Sequence, residues 1–200
     1  MLCELVPGGV PKKIIADRVT RLFGSITPPD AVAGARWELA AALLEDLRRI
    51  DGQLRETRKQ LESAVRASGT SLTGLFGVGP VLAATVIGEV SDVSRFKNRD
   101  RFAAYNGTAP IEVSSGQRKV NRLSRRGNRR LNQAIHTAAV TQVRQPHSEG
   151  RAYYDKKLAD GKTHREALRA LKRQVSDAVF TQLWADALRA LAQHQSGHTD

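Results

Sequence analysis

The sequence has a single cysteine, Cys3, in 200 residues. One thiol cannot close an internal disulfide, nor build a cysteine-rich structural zinc site. Aromatic residues are only 5% of the chain, so a core drawn from 40% hydrophobic residues must consist mostly of Leu, Val, Ile and Ala. No apolar run approaches the roughly 18 residues needed to cross a membrane. The start, Met1 to Pro11, lacks the charged-then-apolar layout of a secretion signal. These absences predict a cytoplasmic chain with no membrane association and no metal site among its own residues.

Acidic residues are the other shortage. Thirty-two Lys and Arg face twenty Asp and Glu, a net charge of +12. Such a surplus favours a polyanionic partner. Charge alone does not choose between DNA, RNA, the ribosome and an anionic membrane surface.

The pattern along the chain is mainly α. Residues 1–30 read as irregular, punctuated by Pro7, Gly8, Gly9, Pro11, Pro28 and Pro29 around one short helix near Lys12 to Leu22. Residues 31–67 read as one long helix. Leu43, Leu47, Ile50, Leu54, Thr57, Leu61 and Ala64 recur at alternating four- and three-residue steps, the seam of a coiled coil. Such a seam needs a partner helix, from this chain or from a second copy. Residues 68–192 read as a compact helical domain, and 193–200 as a disordered tail. Asn98 suits an N-cap for a short helix stopped by Asn106-Gly107, with Gly88 ending the helix before it. Phe96, Phe102 and Tyr105 suit core anchors, with base stacking as the alternative. Thr163 and Glu166 form a capping box that opens a last helix through Leu168, Leu171, Val175, Val179, Leu183 and Leu188, decorated by Arg165, Arg169, Lys172 and Arg173.

Two segments carry candidate chemistry. Around Gly77-Val78-Gly79-Pro80 the chain resembles a helix-hairpin-helix. Two glycines permit a tight turn, and the free N–H groups of the helix that follows can hold a phosphate. A plain turn between packed helices is the alternative. Further on, Ile111 and Val113 flank Glu112 in a short extended piece that runs into Ser114-Ser115-Gly116. Arg118, Lys119, Arg122, Arg125, Arg126, Arg129 and Arg130 follow with no acidic residue among them. That density suits a cradle for phosphates. Cations beside a serine stabilise the charge that builds when its hydroxyl attacks phosphorus. The same residues also make an ordinary solvated basic turn. His136 is a general base by type and a structural histidine by frequency.

Taken in order, the glycine turn, Asn106-Gly107-Thr108-Ala109-Pro110, Ser115-Gly116, the arginine run and Ser124-Arg125-Arg126-Gly127-Asn128-Arg129-Arg130-Leu131 resemble the C-terminal domain of insertion-sequence transposases of the IS110/IS116/IS902 family. The likeness continues through Arg151-Ala152-Tyr153-Tyr154 and Gly161-Lys162, covering roughly residues 35–188. It implies DNA transposition and recombination, and a serine that attacks a DNA phosphodiester to form a phosphoserine link. The serine before the glycine maps onto Ser115, with Ser114 its neighbour. It implies DNA as partner, a structured guide RNA in some members, and a homo-oligomer through the long helix. It also implies a preceding ribonuclease-H-like domain whose Asp-Glu-Asp-Asp set holds magnesium. Asp17 and Asp30 have no suitable companions for that role. The chain is therefore expected to be N-terminally truncated, and inactive alone unless a full-length copy lends the metal site. Two other readings stand beside this one. One is a non-catalytic helix-hairpin-helix protein that binds nucleic acid; the other is a basic dimerising protein whose charge serves solubility.

Overall fold

Asp30 starts the first helix among the described residues, α1 (Ala31–Ala67), by accepting a hydrogen bond from the Ala33 N–H at 2.7 Å. The structure is a computed structural model that describes residues 28–115, 118–123 and 127–196. The irregular segment and its short helix near Lys12 to Leu22, the residues Gly116, Arg125 and Arg126, and the last four residues lie outside the described residues. The chain divides into two compact units, residues 1–60 and 61–200.

In the first unit, Ala40 and Leu44 of α1 are buried, with Trp37 and Ala41 packed beside them. Leu43, Leu47, Ile50 and Leu54, the first four seam positions, are 41–54% exposed. Glu45–Arg48 and Asp46–Arg49 pair along the helix surface at 2.9 and 3.0 Å.

The second unit is mainly α with one β-hairpin. It holds the end of α1, a 3-10 turn (Leu72–Gly74), α2 (Pro80–Val90), a second 3-10 turn (Val93–Arg95), α3 (Arg99–Asn106), β1 (Pro110–Ser115), β2 (Arg118–Leu123), α4 (Arg129–Arg144), α5 (Glu149–Ala159) and α6 (His164–Ser196). Each helix start has a local cause. Pro80 occupies the first turn of α2, where its missing N–H costs nothing. The side chains of Asn98, Asn128 and Ser148 cap α3, α4 and α5. Thr163 and Glu166 close both halves of the expected capping box, at 3.4 and 3.0 Å. Gly107, at φ +75°, ends α3.

The core of this unit gathers Leu72, Val86, Val90, Phe96, Phe102, Leu131, Ile135, Leu171, Val175 and Val179 from α2, α3, α4, α6 and the two 3-10 turns. Phe96 meets Phe102 edge-on with ring centres 5.2 Å apart, and both are buried, as core anchors should be. Asp186 of α6 ties the segment after α1 to this core. It accepts hydrogen bonds from the Ser71 N–H and the Thr70 hydroxyl, each at 2.9 Å, and also binds the Ser71 hydroxyl and Arg189.

Several details differ from the sequence reading. Gly88 lies inside α2, which runs on to Val90 and stops at Ser91. The buried positions of the α6 stripe end at Leu183, with Ala187 partly buried beyond it, and Leu188 is 54% exposed. The stretch from Gln193 stays helical through Ser196. Lys172, read as surface decoration, is buried. The segment before the glycine turn is one turn of 3-10 helix, so a full helix follows the glycines without one immediately preceding them.

Candidate functional site

The extended piece at Ile111–Val113 is the middle of β1, and the basic run beyond it is in part a strand. β1 and β2 pair antiparallel with Val113 opposite Val120, Ser114 opposite Lys119 and Ser115 opposite Arg118. Successive strand residues alternate between the two faces of the ribbon. Positions 111, 113 and 115 therefore share a face with 118, 120 and 122. Ser115 thus falls in register with Arg118 and on one face with Arg122, while Ser114 falls in register with Lys119 on the other.

A two-stranded ribbon is marginal in isolation, and its feet are clamped. Asn106 is fully buried. Its Oδ1 accepts from the Thr108 N–H at 3.1 Å and the Thr108 hydroxyl at 2.7 Å, while its Nδ2 donates to Ser176 Oγ at 2.7 Å. Asn132 Nδ2 donates to the Asn106 carbonyl at 2.7 Å. The returning foot passes directly over Gly107. A Cβ on Gly127 would lie 2.6 Å from the Gly107 nitrogen, closer than real Cβ contacts come. The next residue, Asn128, donates its N–H to the Tyr105 carbonyl at 2.7 Å. Its side chain caps α4 through the Leu131 N–H and donates to Glu89 Oε2 at 2.7 Å. Asn106-Gly107-Thr108 and Gly127-Asn128 therefore hold the two feet of the hairpin together.

Arg129 and Arg130 open α4 at the same end, both exposed. Arg130 approaches Glu89 at 3.5 Å. The basic run has no acidic residue in sequence, yet Glu89 reaches it across space, a partner some forty residues upstream that no local pattern announces. Arg95 stacks over Phe96 and Tyr105, 4.6 Å from each ring centre.

The glycine turn stands apart from the hairpin. Gly77 has φ +82°, and a Cβ there would meet the Ala138 carbonyl oxygen of α4 at 2.8 Å. Its glycine is thus accounted for by close packing on α4. Gly79 faces open space at the N-terminus of α2. About ten helical residues separate Gly79 from Glu89, about 15 Å along α2. A groove of about 730 Å³ runs between α2 and α4, floored by Leu82 and Ala134 and reaching Glu89 and Arg129.

On the other side of α4, His136 is half-buried. Burial and the nearby Lys172 charge lower its pKa below the ordinary 6.5. Burial likewise lowers that of Lys172, whose ammonium donates to Asn132 Oδ1 at 2.9 Å.

Among the described residues, no group of three or more His, Cys, Asp or Glu side chains converges as metal ligands would. The carboxylates are dispersed and engaged one by one: Glu89 with Asn128, Asp100 with Arg173, Asp186 with Ser71. These residues do not fit the four-carboxylate magnesium set that the resemblance implies for a preceding domain. No helix among the described residues is long and apolar enough to cross a membrane.

The register thus sets a serine and arginine ribbon on a clamped helical body. Residues 69–155, from the end of α1 through the hairpin into α5, match the model of the transposase IS116/IS110/IS902 family. The chain is 30% identical over 149 residues to the insertion element IS116 uncharacterized 44.8 kDa protein of Streptomyces clavuligerus, covering 73% of this chain and 37% of that protein. It is 33% identical over 145 residues to the insertion element IS110 uncharacterized 43.6 kDa protein of Streptomyces coelicolor, covering 71% and 36%. Against the insertion element IS900 uncharacterized 42 kDa protein of Mycobacterium paratuberculosis the figures are 29% over 163 residues, 80% and 40%. The chain belongs to the IS116/IS110/IS902 transposase family. It spans 36–40% of the length of these curated relatives.

Proposed function

We propose that this chain is a DNA-binding transposase module whose β-hairpin presents Ser115 to a DNA phosphodiester. The observation that carries the reading is the strand register, which stands Ser115 opposite Arg118 and on one face with Arg122. In the proposed step the Ser115 hydroxyl oxygen attacks phosphorus. A serine–phosphate bond forms and the bond from phosphorus to the leaving strand oxygen breaks. The serine proton passes to water, and the leaving oxygen takes one up. Arg118, opposite the serine, neutralises charge on the phosphoryl oxygens as the step proceeds. Arg129 and Arg130, at the foot of the hairpin, and Lys119 extend the basic surface along the DNA backbone, with Arg125 and Arg126 between them in sequence. Gly77 and Gly79 would supply a second phosphate contact, about 15 Å from the foot. A structured guide RNA is a further polyanion that these groups would accept. The exposed stripe Leu43, Leu47, Ile50 and Leu54 is where a second copy would pack in a homo-oligomer.

The test is a denaturing gel with end-labelled duplex DNA and the purified chain, alone and mixed with a full-length family enzyme whose own serine has been replaced. A covalent adduct should form with the wild-type chain and with Ser114→Ala, and vanish with Ser115→Ala while DNA binding persists. An adduct that survives Ser115→Ala refutes the nucleophile. The dispersal of the described carboxylates favours a second reading, a module that binds nucleic acid without cutting it. Salt-dependent binding with no adduct under any condition would establish that one.

A further inference from the structure

Lys172 carries a charge that the fold gives no reason to keep. Its residue is 8% exposed, and among the described residues its ammonium makes one hydrogen bond, to the neutral amide of Asn132 at 2.9 Å. No described carboxylate pairs with it. Taking an ammonium out of water is costly unless opposite charge compensates, and an apolar residue of similar volume is commonly as stable or more so. Its surroundings add to the imbalance. His136 stands one turn beyond Asn132 on α4, where burial and the Lys172 charge hold its pKa below the ordinary 6.5. Two ammonium hydrogens remain for a further acceptor.

The location gives that acceptor a setting. The Asn132 amide that holds Lys172 also donates to the Asn106 carbonyl, and Asn106 in turn holds Thr108 at the hairpin foot. On the same face of α6, one turn along, Ser176 receives the Asn106 amide. A rigid polar network therefore links the buried ammonium to the base of the ribbon that carries Ser115. We propose that Lys172, Asn132 and His136 form a binding site for one backbone phosphate of a DNA strand, next to the stretch engaged by the hairpin. The phosphate supplies the missing counter-charge, and a protonated His136 adds a second donor.

This inference rests on the DNA reading above, so its test separates the two. Binding of the wild-type chain, Lys172→Met and His136→Glu to a fluorescent duplex of arbitrary sequence is followed by anisotropy across a salt series. Thermal unfolding of each is recorded in parallel. Lys172→Met should unfold at the same or a higher temperature, yet bind about tenfold more weakly at low salt. Its log–log salt slope should shrink by about one. His136→Glu, which puts a carboxylate beside the ammonium, should also unfold no lower and bind more weakly. Wild-type affinity and slope in Lys172→Met would overturn the site, as would a large loss of stability, which would show that the ammonium serves the fold. Inorganic phosphate that stabilises the wild-type chain but not Lys172→Met, with DNA affinity unmoved, would assign the site to free anions and overturn the strand reading. A wild-type chain that does not bind the duplex at all would instead refute the DNA reading itself.

Discussion

Replacing Gly127 with alanine tests the clamp at the base of the hairpin. The added Cβ would fall 2.6 Å from the Gly107 nitrogen and 2.7 Å from its Cα. Both neighbours are backbone, so neither can swing aside as a flexible side chain could. The feet must separate, stretching the Asn128 N–H to Tyr105 carbonyl bond that now measures 2.7 Å. Overpacking of this kind costs about 1–3 kcal/mol. In a domain of this size each kcal/mol moves the melting temperature by roughly 2–4 °C. The expected loss is therefore about 2–12 °C, read by thermal unfolding in far-UV circular dichroism. Gly88→Ala is the matched control. Gly88 lies inside α2, and a Cβ there would have nothing within 4 Å. Alanine at that position should raise stability by up to about 1 kcal/mol through helix propensity. An unchanged melting temperature in Gly127→Ala, or a shift of the same sign in both variants, would refute the clamp.

Other outcomes follow from the same geometry. Asn106→Ala removes an amide making three side-chain hydrogen bonds and leaves Ser176 and Thr108 without their partner, so about 2–4 kcal/mol should be lost in urea unfolding. Asn128→Ala deletes the α4 cap and the contact to Glu89, and should cost about 1–2 kcal/mol by the same measurement. Burial raises the Asp186 carboxyl, but hydrogen bonds from Ser71 and Thr70 and the Arg189 charge outweigh it and hold its pKa below the ordinary 3.8. Its contribution is thus fully present above 3.8 and lost as pH falls through the folded value; Asp186→Asn should be less stable at neutral pH with a shallower acid limb. His136 is depressed below 6.5, so the unfolded chain takes up its proton first and stability declines as pH falls from 6.5 toward the folded value. His136→Gln should flatten that part of the stability profile, and an unchanged slope would show that another group sets it.

The helical part of this fold was legible because its signals are local. A period of seven marked α1, Thr163 and Glu166 marked the start of α6, and Asn98 and Gly107 bracketed α3. The second strand was not legible in that way. Arg118-Lys119-Val120-Asn121-Arg122-Leu123 has only two apolar residues, and it is a strand because β1 pairs with it. Asn128 read as part of a family motif, but its work is capping α4 and reaching Glu89, a relation across 39 residues. Lys172 misled because it sits among arginines, of which Arg169 is exposed and Arg173 is half-buried and paired with Asp100 and Asp177. The available signal was its spacing from Ser176, four residues on and alongside Leu171 and Val175, which puts both polar residues on the arc next to the core stripe.

The hairpin and the body divide the work of the proposed reaction unequally. A ribbon of two six-residue strands has too little pairing to fix a nucleophile to within an ångström. Whatever precision Ser115 has must come through the feet, and there the sequence places the buried amide of Asn106, the half-buried amide of Asn128 and a glycine in contact with backbone. Asn106, Gly127 and Asn128, which never meet DNA in the proposal, lie within the stretch that matches the family model. Dependence on the feet separates two kinds of failure. Loss of Ser115 removes the bond-forming oxygen and leaves the ribbon in place, whereas loss of the clamp leaves the oxygen present and unaimed. Substitutions at the feet should therefore lower adduct formation by more than their cost in stability alone explains, while substitutions of Arg129 or Arg130 should lower DNA affinity and leave adduct formation at saturating DNA nearly unchanged.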